Sequence, residues 1–157
     1  RSPHINKLYY NSDGTIQEVK ADMTGVSQTA DINPYERTEA ETIGWNSGIK
    51  TEDCSASGGP TNNQDVTSIN NGDWIALGNV DFGTSGAKSF KANIASTSSG
   101  KIEIRLDNPN GTLVGSLNVS STGGTQNWQT VETNISGATG THRLFFVFTG
   151  SGTGNLF

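Results

Sequence analysis

The chain predicts an all-β fold: a two-sheet antiparallel β-sandwich, jelly-roll-like, preceded by a short β-hairpin segment. Composition is the first reason. Of 157 residues, 20 are glycine and only 31% are hydrophobic, and the apolar residues fall in short runs broken by Ser, Thr, Asn and Gly. That is the pattern of many strands and turns, not of long helices. Periodicity is the second. In "KIEIRLD" (101–107) Ile102, Ile104 and Leu106 share one side while Lys101, Glu103, Arg105 and Asp107 share the other, the period of two that marks a strand with one wet face. Spacing is the third: about seven or eight such runs follow residue 37, joined by Gly-rich turns, and two packed sheets are the natural way to bury them.

The elements follow in order. "KLYYNSDGTIQEV" (7–19) sets Asp13-Gly14 between two β-prone runs, a hairpin signal because glycine accepts the positive φ that tight turns need. "KADMTGVSQTADINPY" has weak periodicity, and Asn33-Pro34 punctuates it, which divides the chain into 1–34 and 35–157. "EAE", Glu39-Ala40-Glu41, read as a strand, puts two carboxylates on one face. They are either solvated or bridged by a hard cation such as calcium.

In "TSINNGDWIALGNVDFG" (67–83) Ile75 and Leu77 read as core, while Trp74, Ala76 and Gly78 share the opposite face. One large ring followed by two small residues makes a shallow trough if that face is open, and a plug if it is closed. "TLVGSLNV" continues the alternation through Leu113, Leu117 and Val119, and "NWQTVETNI" gives another strand after the turn "STGGTQ". "HRLFFVF" (142–148) is apolar on both faces and reads as a buried central strand. Trp45 and Trp128 are expected to be packing residues. The final "NLF" reads as the start of a further strand, so the second domain is expected to be truncated at its C-terminus.

Charge and residue types narrow the function. A formal charge of −5 without clustered Lys and Arg argues against nucleic acid and anionic membrane as partners. No run nears the ~18 apolar residues of a membrane span. "RSPHINKLYY" lacks the apolar core of a signal peptide, so any export signal is expected upstream of Arg1. The single cysteine, Cys54, is expected to be incidental. The carboxylates sit beside turns or on wet strand faces, and neither His4 nor His142 lies near a nucleophile turn or a metal-ligand spacing. No catalytic constellation emerges.

Taken together, "ERTEAETIGWNSGIKTED", "INNGDWIALGNVDFG", "GAKSFKANIAS", "GKIEIRLDNPNGTLVGSLNV", "STGGTQNWQTV" and "GTHRLFFVFTGSGTGNLF" resemble carbohydrate-binding module family 6, from about Tyr35 to Phe157. The leader, residues 1–34, resembles the closing segment of a family 43 glycoside hydrolase domain. That order implies a secreted, extracellular parent enzyme, an arabinofuranosidase that removes arabinose branches from xylan, with its catalytic acids outside this segment.

The resemblance implies a non-catalytic module that binds xylan or arabinoxylan oligosaccharide and accompanies the catalytic domain of the same chain. The alternative is a structural module that packs on that domain and stabilises it without binding sugar. The resemblance also implies a structural calcium, with Glu39 and Glu41 as ligands and its site incomplete where a further strand is missing. In the family's first cleft the matching positions are Glu52 for an acid, Ser68 and Thr125 where two rings usually stand, and Asn155 for an amide. Lacking both rings, that cleft is expected to be degenerate. In the second cleft, on a sheet face, the aromatic matches Trp74, which is expected to lie outward as a platform.

Overall fold

The computed structural model describes residues 5–20, 26, 30–55, 63–151 and 156–157. It divides into two compact units, Arg1–Ala30 and Asp31–Phe157. In the first, the hairpin stands where Asp13-Gly14 puts it: Tyr10 pairs antiparallel with Ile16, and Gly14 takes a φ of 83°. The Asp13 carboxylate accepts from the Thr15 amide and hydroxyl at 3.0 and 2.7 Å. These bonds favour the ionised form and hold its pKa below the usual carboxylate range.

The second unit is built from nine strands among the described residues: β1 (Trp45–Ser47), β2 (Lys50–Asp53), β3 (Gln64–Thr67), β4 (Trp74–Asp81), β5 (Ser89–Ser96), β6 (Gly100–Leu106), β7 (Leu113–Val119), β8 (Gly124–Asn134) and β9 (Thr141–Thr149). One layer is a continuous antiparallel sheet in the order β1-β4-β9-β6-β7; the other comes in two pieces, β2-β3 and β5-β8. The core lies between them. Ile75, Ile102, Leu117 and Phe148 of the continuous layer meet Ile94, Val66, Ala92 and Val131 of the other, and Ile104 and Leu144 meet Phe90 and Ile135.

The alternation of β6 is observed as read: Ile102, Ile104 and Leu106 are buried. Strand β9 is central, hydrogen-bonded to β4 on one side and β6 on the other; both its faces are apolar because Leu144, Phe146 and Phe148 pack into the core while Phe145 and Val147 pack with Ala76 and Trp74 on the opposite side. In β7 the reading needs correction. Leu117 and Val119 point inward, but Leu113 is 49% exposed and Val114 takes the core position instead. The cause is a bulge: Ile104 pairs with Gly115 and Arg105 with Leu113, so Val114 is an extra residue and the inward phase shifts by one. Gly115 belongs there because a Cβ would collide with the Ile135 side chain.

The "EAE" segment is also corrected. Residues 39–43 form turns, with the Thr42 amide donating to the Glu39 carbonyl at 3.0 Å and the Ile43 amide to the Glu41 carbonyl at 2.8 Å. Two like charges one residue apart suit a solvated turn as well as a strand, so spacing alone misleads. At the other end Leu156 is fully buried in the core. Its amide donates to the Ile69 carbonyl at 2.6 Å, and its carbonyl accepts from the Ser96 and Ser98 hydroxyls at 3.0 and 2.6 Å.

Candidate functional site

The outer face of the continuous sheet carries an aromatic surface, and the register shows how it arises. Directly opposed residues of antiparallel strands point to the same side. Trp45 of β1 faces Ala76 of β4, Ala76 faces Phe145 of β9, and Phe145 faces Arg105 of β6. In the next row Ser47, Trp74, Val147 and Glu103 stand side by side. All of these project away from the core because Ile75, Leu144, Phe146 and Phe148 use the other parity.

Trp74 is half-buried. Its ring lies 5.2 Å from that of Phe145, tilted by 58°, and the two pack with Ala76 and Val147 as a small cluster of their own. The indole is therefore an outward platform resting on Phe145, and not a plug between the layers. The expected open trough at Ala76 is corrected: Ala76 is fully buried, closed over between its flanking rings. Trp45 is a second correction. Expected to pack inside, it is 49% exposed, with the Arg143 guanidinium carbon 5.0 Å from its ring centre. Beside them Glu103 and Arg105 form a part-buried ion pair at 2.8 Å.

The other positions lie elsewhere. Glu52 is exposed on β2, directly opposite Asp65 of β3. Ser68 follows β3 with a left-handed φ of 59°, and its carbonyl accepts from the Asn70 amide group at 2.8 Å. Thr125 is exposed on β8. Glu52 and Thr125 line the same cleft, of about 760 Å³, which opens between the two pieces of the second layer and reaches Ile104 and Phe146 of the core. Ser68 is not part of its wall, and Asn155 lies outside the described residues.

Two residues of the cleft wall, Asp65 and Trp128, join a polar network that sequence reasoning missed. Gln126 accepts from the Ser55 amide and hydroxyl at 2.8 and 2.7 Å and donates to Asp65 at 3.1 Å. The Trp128 indole N–H points to the same Gln126 oxygen at 3.4 Å. Burial pushes the Asp65 carboxyl above its usual range; the Gln126 and Cys54 hydrogen bonds oppose this, and the Glu52 and Glu41 charges reinforce it.

At the turn that bears Glu39 and Glu41, Arg37 engages both Glu39 oxygens, at 2.8 and 3.1 Å. Among the described residues no group of three or more Asp, Glu, His or Cys side chains converges on one point.

A two-layer antiparallel sandwich with indoles displayed on a sheet face is a scaffold suited to holding a ligand against a flat apolar surface. The chain belongs to carbohydrate-binding module family 6, whose model matches residues 39–157, and the module itself is a binding unit, not an enzyme. The whole chain is 66% identical, over 157 residues, to an arabinoxylan arabinofuranohydrolase of Bacillus subtilis (strain 168), of which it covers 31%. A solved structure of a glycoside hydrolase family 43 arabinoxylan arabinofuranohydrolase from Bacillus subtilis, in complex with cellotetraose, matches with a TM-score of 0.92 and 66% identity, over 98% of this chain and 32% of that one. A family 6 module from Clostridium cellulolyticum in complex with xylose matches with a TM-score of 0.72 and 42% identity, over 80% of this chain and 95% of that one. The chain thus spans about a third of the length of the first of these relatives.

Proposed function

We propose that the module binds xylan or arabinoxylan through the face that carries Trp74, and that it holds a secreted parent arabinofuranosidase on its polymeric substrate. Residues 1–34 would then belong to the end of that enzyme's catalytic domain. The observation that carries the reading is the Trp74 indole, outward on a sheet and backed by Phe145. A flat ring held rigid in this way offers its face to the C–H surface of a sugar at little entropic cost. The xylose complex of the Clostridium cellulolyticum module supports the choice of sugar. Tethering raises the local concentration of a linked catalytic site on the polymer, so even weak binding is useful.

Affinity electrophoresis of the chain in soluble arabinoxylan tests this. Retarded migration is expected, with Trp74→Ala weakening binding roughly tenfold or more. Unretarded migration of the native chain would remove the proposal. One observation favours the second reading, of a module that only steadies its catalytic partner: at Ser68 and Thr125 the family's first cleft has no ring. Melting the parent enzyme with and without the module separates the two. A stabiliser moves the melting temperature, whereas a targeting module changes activity chiefly on polymeric substrate.

A further inference from the structure

The pair formed by Trp45 and Arg143 is not accounted for by a neutral sugar platform. Trp45 is half exposed on β1, and Arg143, exposed near the start of β9, lays its guanidinium over the ring at 5.0 Å. Trp45 stands opposite Ala76 and Trp74 opposite Ser47, so the two indoles are diagonal neighbours on one face, within reach of successive units of one glycan chain.

The other charges on this face are engaged or distant. Glu103 and Arg105 neutralise each other at 2.8 Å, and a further N–H of Arg105 donates to the Gly111 carbonyl at 2.8 Å. Asp107 lies against His142 at 3.0 Å, Asp81 accepts from the Gly83 amide at 2.8 Å, and Lys101 is away across β9, opposite Thr149. Among the described residues Arg143 makes no ion pair. Its planar fork is pre-oriented by the indole beneath it, which removes much of the rotamer cost of gripping a carboxylate through two hydrogen bonds.

Building on the reading that this face binds glycan, we propose that Trp45 and Arg143 form an acidic-sugar subsite, which selects xylan chains bearing uronic acid branches over neutral ones. The indole holds the guanidinium in place, and the guanidinium binds the carboxylate of the branch sugar. The chain as a whole carries −5, so long-range attraction gives no help; the preference is a contact effect, weakening as salt screens it.

The test compares binding of the 157-residue chain to glucuronoxylan and to the same polymer with its carboxyl groups reduced to alcohols. The native chain is expected to bind the carboxylated polymer roughly threefold to tenfold more tightly at low salt, with the ratio shrinking as salt rises. Arg143→Gln is expected to abolish that ratio, and Arg143→Lys to retain part of it. Free glucuronate competing better than glucose on the native chain gives the same answer without a variant. Equal binding of the two polymers by the native chain, or an undiminished ratio in Arg143→Gln, overturns the subsite and leaves glycan binding intact. Binding of neither polymer overturns both.

Discussion

The outer face of the continuous layer and the cleft through the divided layer use the same kinds of side chain to opposite ends. On the continuous sheet, aromatic residues are fixed by strands paired on either side: Phe145, in the central strand β9, supports Trp74. In the divided layer, Glu52, Asp65, Thr125 and Trp128 line an opening where β2-β3 and β5-β8 stay separate, and one glutamine, Gln126, links its parts. The difference teaches that rigidity at a recognition surface comes from the ladder beneath it. Where the ladder is interrupted, hydrogen bonds between side chains and loops must do the positioning.

The largest expected break in this comparison is Phe145→Ala. Removing a ring that is 6% exposed should cost about 3–5 kcal/mol, lowering the melting temperature by about 10 °C and weakening glycan binding together. Trp74→Ala, at a half-buried ring, should weaken binding with a much smaller thermal shift, and calorimetry beside affinity electrophoresis would show the two effects separate. Next comes Gln126→Ala, which frees the Ser55 amide and leaves Asp65 without its amide donor. A loss of about 1–3 kcal/mol is expected, read by chemical denaturation, with binding at the outer face unchanged.

Smaller still is Asp65→Asn. Because the Asp65 carboxyl is raised in the folded state, the folded protein binds its proton more tightly than the unfolded chain does. This group therefore destabilises the fold above its folded pKa, and that penalty fades as pH falls toward 3.8, the ordinary value of an aspartate. Asp65→Asn should match or exceed the native melting temperature at pH 7, and lose that advantage as the pH approaches 4. Calcium is expected to do least. With Glu39 held by Arg37, melting in excess calcium and in chelator should coincide; a clear calcium-dependent rise would show that further oxygens complete a site around Glu39 and Glu41.

Much of the fold was legible because strand burial has a strict period. The inward residues of β6 follow from alternation and the central place of β9 from a run that is apolar on both faces, while for Trp74 alternation gives only the face opposite Ile75 and Leu77 and the resemblance implies the outward position. Errors arose where one residue changes the phase or where a turn imitates a strand. At β7 the bulge moves Val114 into the place expected for Leu113, and nothing in "TLVGS" announces it except a glycine. At "EAE" a period of two is met equally by a turn.

The site was less legible. Trp45 reads as a packing residue, and the face it shares with Trp74 rests on the pairing of β1 with β4, which local pattern does not give. Arg143 and Phe145 have the same parity within "HRLFFVF" as the residues that oppose Trp74's face, but pairing β9 with β4 is a long-range fact. The Gln126 network joins residues 61 and 71 positions apart, a separation over which local pattern carries no information.

Strand β9 serves two purposes by parity: Leu144, Phe146 and Phe148 seal the interior, while Arg143, Phe145 and Val147 shape the exterior. Chemistry at an exposed position of the exterior set can therefore be rewritten without disturbing the interior, provided the backbone stays paired. Arg143, at the solvent-facing end of that exterior set, is the position where a new glycan preference could be tried with the hydrophobic interior left untouched.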